Sequence, residues 1–429
     1  MRVHSAIAQS CACVIAGVGS DPQARHGLAA TAVGGPDLLA RFAGISDGRG
    51  DQGRDHPVGV VLTLCAAAVV AGMRSFTAIA GWVADVPAAV LATLYGTAAP
   101  GYPSKTTLWR VLTGVDTAGV DAAIGAWLAE QAQQAIGSQP PDADHAGSRS
   151  DQTDEGAAQP AGAELLAVAV DGKTLRGAVD SNGAQVHLMA AATHGDQLVL
   201  GQIEVGAKTN EIPLFAPLLD QLADNGVDLR QLVITADALH CQRAHATYLH
   251  DHGAGFVFTA KENQPGLFHA LDALPWASTP IAHRDVDRGH GRITTRTIQV
   301  LPAPPDLPFP HTAQALLIER YVTTPAGTPL SAVAALGITN LPADQTDPAT
   351  LANLVRNHWG VESLHWLRDT VYREDHSRIR TGSGPRVMAA LRNLAIGALH
   401  LTGRRDITEA TRWAARKMTR PFHILKLTP

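Results

Sequence analysis

Between residues 165 and 260 the apolar residues change their period, and this change restricts the fold more than any other feature of the chain. ELLAVAVD, QVHLMAAATH and QLVLGQIEVG read as three successive strands joined by short turns containing Gly and Asn, which predicts an antiparallel meander. NEIPLFAPLLDQLADNG has the spacing of an amphipathic helix, with Thr209 or Asn210 as its cap and Asn225-Gly226 as its end. QLVITAD, HCQRAHATYLHDHG and GFVFTAK then read as strand, helix and strand. The predicted order is βββαβαβ, an α/β arrangement in which the first and fourth strands lie side by side.

That order is the one of a ribonuclease H-like core, and the rest of the 429 residues is arranged around it. A chain this long exceeds what one hydrophobic core usually organises, so two or three domains are expected. Residues 1–53 read as a poorly ordered N-terminus. Residues 54–132 form a small helical domain, with Ser104 or Thr106 capping the helix that carries Leu108, Val111 and Leu112. Lys105, Trp109 and Arg110 lie on the other side of that helix, which suits either a helix-turn-helix reader of DNA or a packing subdomain. Residues 133–163 are polar, acidic and rich in Gly, Pro and Ser, the composition of a flexible linker. The α/β domain occupies 164–429, with a β-rich insertion at about 266–345. TDPATLANLVRNHWGVESLHWLRDTVYRED is predicted as one long helix, capped at Thr346 or Asp347 and followed by further helices to the end.

Composition excludes several classes. Hydrophobic content of 45% with 17% charge is that of a globular chain, not a disordered one. Cys11, Cys13, Cys65 and Cys241 form no CxxC pair, which fits a reducing cytoplasm and argues against zinc modules and structural disulfides. The nineteen histidines are scattered without a paired metal spacing. The apolar run from Val58 to Met73 falls short of the roughly 20 residues that span a bilayer and predicts a buried helix, so no membrane partner is expected. The N-terminus, with Arg2 as its first cation and polar residues soon after, is not the pattern of a secretory signal. Net charge is −5, but residues 351–429 carry 14 Lys and Arg against 6 Asp and Glu, a basic end suited to phosphates.

Two strands of the predicted sheet finish on an aspartate, VAVD at Asp171 and VITAD at Asp237. Taken singly, each is an ordinary acid at a strand end. Together, at the ends of neighbouring strands, they would repel and titrate abnormally, and a hard divalent cation such as Mg²⁺ or Mn²⁺ relieves that conflict. A third carboxylate would come from the late helix, where Glu362 shares a face with His365, Trp366 and Asp369; Asp369, Glu374 and Asp375 are alternatives.

VDGKTLRG, KTNEIPLFAPLLDQL, ITADALHCQ, FTAKENQP, NHWGVESLHW and YREDHSRIR occur in this order, preceded by DHPVGVVLTLC and AGMRSFTAIAGW. Together they resemble the DDE transposases of bacterial insertion sequences, in particular the ISAs-type group, from about residue 54 to 425. The resemblance implies a ribonuclease H-like catalytic core binding two Mg²⁺ ions, with Mn²⁺ able to substitute. It implies that Asp171, Asp237 and Glu362 are the catalytic, metal-holding acids. A related superfamily signature places Tyr, Arg, Glu and Lys around the third acid, where this chain has Val355, His358, Glu362 and Asp369. Roles tied to that Tyr, Arg and Lys therefore do not carry over.

The chemistry implied is in-line displacement at phosphorus: cleavage at element ends, then strand transfer into target DNA by the freed 3'-OH. Lys173 and Arg176, just past the first acid, are expected to face the substrate backbone. Lys105, Arg110, Lys261, Arg378 and Arg380 are further candidates for DNA contact. Double-stranded DNA is the expected partner, and a homo-oligomer is expected when two ends are synapsed. The competing readings are a metal-dependent nuclease without joining activity and an inactive DNA-binding protein derived from a transposase.

Overall fold

The computed structural model describes residues 37–50, 54–137, 165–179, 185–206 and 209–427. Most of the expected loose N-terminus and most of the expected linker lie outside the described residues. Six helices come first: α1 (Leu38–Ala43), α2 (Val58–Val70), α3 (Phe76–Ala84), α4 (Ala88–Tyr95), α5 (Lys105–Gly114) and α6 (Thr117–Gly137). Every residue of α2 is buried, as its unbroken apolar run predicts. Ser104 caps α5 by accepting from Thr107 N, and Leu108, Val111 and Leu112 form its buried stripe. Two boundaries move. α1 lies within the expected loose region yet buries Leu38 and Phe42 against its neighbours, and α6 runs past residue 133 to Gly137.

The sheet follows: β1 (Leu166–Val179), β2 (Gln185–Thr193), β3 (Val199–Val205), α7 (Phe215–Asp224), β4 (Leu232–Ala236), α8 (Arg243–Asp251) and β5 (Gly255–Ala260). This is the predicted βββαβαβ order. After α9 (Pro265–Asp272) come the inserted strands β6 (His283–Gly289), β7 (Arg292–Pro302), β8 (Gln314–Thr323) and β9 (Pro329–Thr339). They extend the same sheet, because β9 pairs antiparallel with β5, and the nine strands run in the order 3-2-1-4-5-9-8-7-6. β1–β4 and β4–β5 are parallel pairs.

The late helix is not continuous. It divides at Trp359 into α10 (Pro348–His358), capped by Asp347, and α11 (Gly360–Thr370). The break lets α11 lean on β1 while α10 stays on β4, β6 and β7. α12 (Gly384–His400), α13 (Ile407–Ala415) and α14 (Arg420–Ile424) complete the chain. α12 is buried nearly throughout and packs on α2, α5, α6 and β3, so early helices and sheet share one continuous core. α6 lies close on β3, where a Cβ at Gly125 would stand 2.3 Å from Leu200 O. At this junction buried Asp121 accepts from Gln202 Nε2 at 3.1 Å and from Arg386 Nε at 2.7 Å, while Asn393 donates to Gln202 at 2.9 Å. Among the described residues no single helix is long and apolar enough to cross a membrane.

A buried ion triad joins α11 to α12. Arg368 Nε and Arg392 Nη1 each donate at 2.8 Å to the carboxylate of Glu374, and all three side chains are almost fully buried. Burial raises the Glu374 carboxyl, but the two guanidinium charges outweigh it and hold the group down at about 2. Arg392, one of the cations of the basic end, is therefore internal. Removing the anion leaves two buried cations facing each other. Glu374→Gln is expected to destabilise the fold by about 3–5 kcal/mol in urea unfolding; a loss below about 1 kcal/mol would show that the triad does not hold α11 in place.

Candidate active site

The site lies where β1 outruns β4. Their parallel pairing ends at Val170↔Ala236, so Asp171 and Asp237 follow the last paired residues of adjacent strands. The prediction that the first strand stops at Asp171 is corrected here. β1 continues to Val179 because β2 keeps pairing with it on its other side. Asp237 does end its strand, capping a short 3₁₀ turn by accepting from Leu239 N at 2.8 Å.

Alternation along β1 sends Asp171 and Lys173 to one face and Gly172 and Thr174 to the other. On the first face lies α11. Lys173 Nζ bonds Asp369 Oδ2 at 2.6 Å, and His365 Nδ1 stands 3.7 Å from Asp171 Oδ2. Glu362, in the first turn of α11, is thereby carried towards the two aspartates. Lys173, expected to face the substrate backbone, is turned inward. It is buried, because Asp369, seven residues after Glu362, provides a partner inside the fold. The wider signature places a cation at that offset; here the offset holds an acid, and the cation beside it comes from β1.

Electrostatics couple Asp171 to the other two acids. Asp171 is raised from 3.8 to about 7, first by burial and then by the charges of Glu211, Asp237 and Glu362, against one backbone hydrogen bond from Gly172 that lowers it. Burial also raises Glu362. His365 is held down to about 3, chiefly by burial and also by Arg368 and Lys173, so it is a neutral imidazole beside Asp171. Next to β4, Thr235 Oγ1 lies 2.9 Å from His194 Nε2 and 3.1 Å from His358 Nδ1, and burial pushes both imidazoles down to about 4.

Among the described residues no three His, Cys, Asp or Glu side chains are already assembled as a cage for an ion. The donor set nevertheless fits a hard cation. Its members are carboxylate oxygens from three elements, the charges of Asp237 and Glu362 add to burial in raising Asp171, and Lys173 is already paired with Asp369. Bare like charges hold one another apart, and a divalent ion removes that repulsion.

The expected DNA contacts fall into three groups. Arg176 is 78% exposed, with Nε 3.7 Å from Asp375 Oδ2, and exposed Arg378 and Arg380 run beside the same end of β1, Arg380 Nε donating to Gly177 O at 3.1 Å. Lys261 is exposed at the end of β5, where Asn263 Nδ2 donates to Ala238 O at 2.6 Å and so steadies the Asp237 turn. Lys105 and Arg110 are exposed on α5, an element packed on α2, α3 and α12. Several cations of the basic end are used internally: Arg386 by Asp121, Arg405 by Asp196, and Arg404 and Arg420 over the ring of Trp413. Trp359 and Trp366, 52% and 43% exposed, stand on either side of Glu362.

One residue escaped the sequence reading. Glu211 accepts hydrogen bonds from His187 Nε2 at 2.8 Å and His240 Nε2 at 3.1 Å. Burial raises its carboxyl, but these two bonds prevail and hold it at about 2, so it is a permanent anion beside Asp171. Its partners lie 24 and 29 residues away, and no local spacing marks them.

The raised Asp171 makes a pH prediction with a definite sign. Without metal, the folded state holds the Asp171 proton more tightly than the unfolded chain, a contribution fully present below about 3.8 and lost as pH rises through about 7. Asp171→Asn cannot ionise. In EDTA it is expected to raise Tm clearly at pH 8, with the gain shrinking towards pH 5; an equal or larger gain at pH 5 would contradict the raised value.

The model of the family described as "Transposase DDE domain" matches residues 163–397, and that described as "DDE_Tnp_1-associated" matches residues 39–128. "Putative transposase YncI" of Escherichia coli O157:H7 is 29% identical over 245 residues, 54% of this chain and 61% of that protein. "H repeat-associated putative transposase YhhI" of Escherichia coli (strain K12) is 28% identical over 249 residues, 54% of this chain and 63% of that protein. The chain thus spans about three-fifths of the length of the curated relatives it matches. A cryo-EM structure titled as a piggyBac transposase synaptic complex with hairpin DNA is similar at a TM-score of 0.33 and 11% identity, covering 61% of this chain and 53% of that one. With its DDE domain matched over more than half its length, and Asp171, Asp237 and Glu362 all inside the match, the chain belongs to the DDE transposase family.

Proposed function

We propose that the protein is a DNA transposase of the ISAs-type group with a ribonuclease H-like catalytic core. It cuts phosphodiester bonds at element ends and joins the freed 3'-OH to target DNA. The observation that carries this reading is the placement of Asp171 and Asp237 after the last paired residues of adjacent parallel strands, with α11 and its Glu362 tied against the same face.

In this reading Asp171, Asp237 and Glu362 hold Mg²⁺, or Mn²⁺ in its place. A bound pair of ions supplies activation of the attacking oxygen and charge relief at the leaving oxygen. Asp171, raised to about 7 in its absence, gives up its proton when the cation binds. Neutral His365 fills the space behind Asp171 without adding charge that competes with the cation. Arg176, Arg378 and Arg380 orient the DNA backbone across the site, and the exposed indoles of Trp359 and Trp366 offer stacking faces to bases beside the reacting phosphate. One set of acids acts on one phosphate at a time, so pairing two ends calls for a homo-oligomer on double-stranded DNA. Such a protein works where DNA is, in the cytoplasm of a bacterium.

The test is Mg²⁺-dependent cleavage and joining on DNA from the element's own flanks. Asp171→Ala and Glu362→Ala are expected to lose both steps by at least about 10³-fold while DNA affinity changes little; joining at the wild-type rate in either variant removes the reading. Cleaved ends without joined product in the wild-type protein would leave a nuclease. The cations give a separate outcome. Arg176→Ala and Arg378→Ala are each expected to reduce the slope of log K against log salt by about 1 in anisotropy titrations of duplex DNA. An unchanged slope would place the DNA elsewhere.

A further inference from the structure

His187, Glu211 and His240 meet on the face of the sheet opposite α11. His187 stands across from Thr174 in the β1–β2 register, and its Nδ1 lies 2.8 Å from Thr174 Oγ1. With Nε2 donating to Glu211, Nδ1 accepts the Thr174 hydroxyl proton, so Thr174, His187 and Glu211 form one chain of hydrogen bonds. On its other side Glu211 accepts from His240, which closes the short turn that Asp237 opens and is itself almost fully buried. The carboxylate lies on the backbone next to Asp171: a Cβ at Gly172 would stand 2.2 Å from Glu211 Oε1 and 2.8 Å from His187 Nε2. Glycine is what the close approach allows.

We propose that Glu211 is a positioning residue that fixes the separation of Asp171 and Asp237, through His187 on one side and His240 on the other. This rests on the reading of the acids as a divalent-cation site. The physical need follows from the register. Beyond Val170↔Ala236 no ladder bond joins β1 to β4, since β1 continues with β2 while the chain after Asp237 turns into a 3₁₀ segment. Two mutually repelling carboxylates thus sit where their strands part company. On the α11 face, Lys173–Asp369 holds β1 to the helix and leaves the Asp237 turn untouched. One oxygen of Glu211 bonds His187 of β2, which in turn bonds Thr174 of β1, and the other bonds His240 in the Asp237 turn, so the carboxylate links the two segments through its imidazole partners. Such outer-shell partners tune an ion site by holding its ligands in place.

The test is a Mg²⁺ titration of the full chain with two readouts: the rate of DNA-end cleavage at saturating DNA, and the rise in Tm on adding the ion without DNA. Glu211→Gln keeps the side chain's shape but offers one acceptor where two are needed. It is expected to raise the Mg²⁺ midpoint about 10-fold in both readouts, with kcat lowered and KM for DNA unchanged. A merely structural role would lower Tm in EDTA without moving either midpoint. His240→Ala is expected to shift the midpoint in the same direction, His240→Gln to restore it in part, and Glu211→Gln with His240→Ala to shift it no further than the larger single effect. His240→Ala also keeps the question open to measurement if Glu211→Gln does not fold. A wild-type midpoint that both single variants retain within about twofold overturns the proposal and leaves the acid site standing. A wild-type protein with no Mg²⁺ response in either readout overturns the site and the proposal together.

Discussion

The parallel pairing of β1 with β4 is the constraint from which the site follows. Its register ends at Val170 and Ala236, and the next residue on each strand is an aspartate. Two acids 66 positions apart in the chain thereby follow the end of one strand pairing. Open α/β sheets bind ligands at the carboxyl ends of their strands, where backbone pairing stops and side chains become free to converge. The continuation of β1 along β2 keeps the first acid on a rigid element rather than a loop. Glu362 reaches the same region because the late helix breaks at Trp359, which allows α11 to follow β1.

Around this point charge is neutralised pair by pair; among the acids themselves it is not. Lys173 answers Asp369, Arg368 and Arg392 answer Glu374, and His187 and His240 answer Glu211. Each of these pairs also fastens one element to another: β1 to α11, α11 to α12, and β2 to the turn after β4. Among the described residues Asp171, Glu362 and Asp237 share no such cation, and burial, with the charges of Glu211, Asp237 and Glu362 added to it, raises Asp171 to about 7. These cations hold the scaffold, and the acids beside Asp171 are left as a negative centre.

Much of this was legible in the residues. The order βββαβαβ could be read because the apolar period switches between two and 3.6 and Asn225-Gly226 marks a helix end, and the helices outside it because Ser104 and Asp347 are caps by local chemistry. Asp171, Asp237 and Glu362 stood out through a family resemblance joined to strand order. What was not legible depends on contacts between distant residues. Nothing near Asp171 says that β2 will carry β1 eight residues further, and nothing near Lys173 shows that an acid 196 residues away will capture it. Arg392 reads as part of a basic tail until α12 is seen to be buried. Glu211 reads as the polar start of a helix until two distant imidazoles converge on it. The early helices read as a separate domain because a core shared with α12 leaves no mark in either segment alone.

Asp171, Asp237 and Glu362 are proposed to act as one cation site. Its most direct test is equilibrium binding of Mn²⁺ followed by electron paramagnetic resonance, on the DNA-free and DNA-bound protein, comparing the natural chain with Asp171→Asn and Asp237→Asn. Protein-bound Mn²⁺ is expected in the natural chain, with the bound signal lost when either aspartate is replaced. Bound Mn²⁺ that persists with unchanged affinity in both replacements would contradict it.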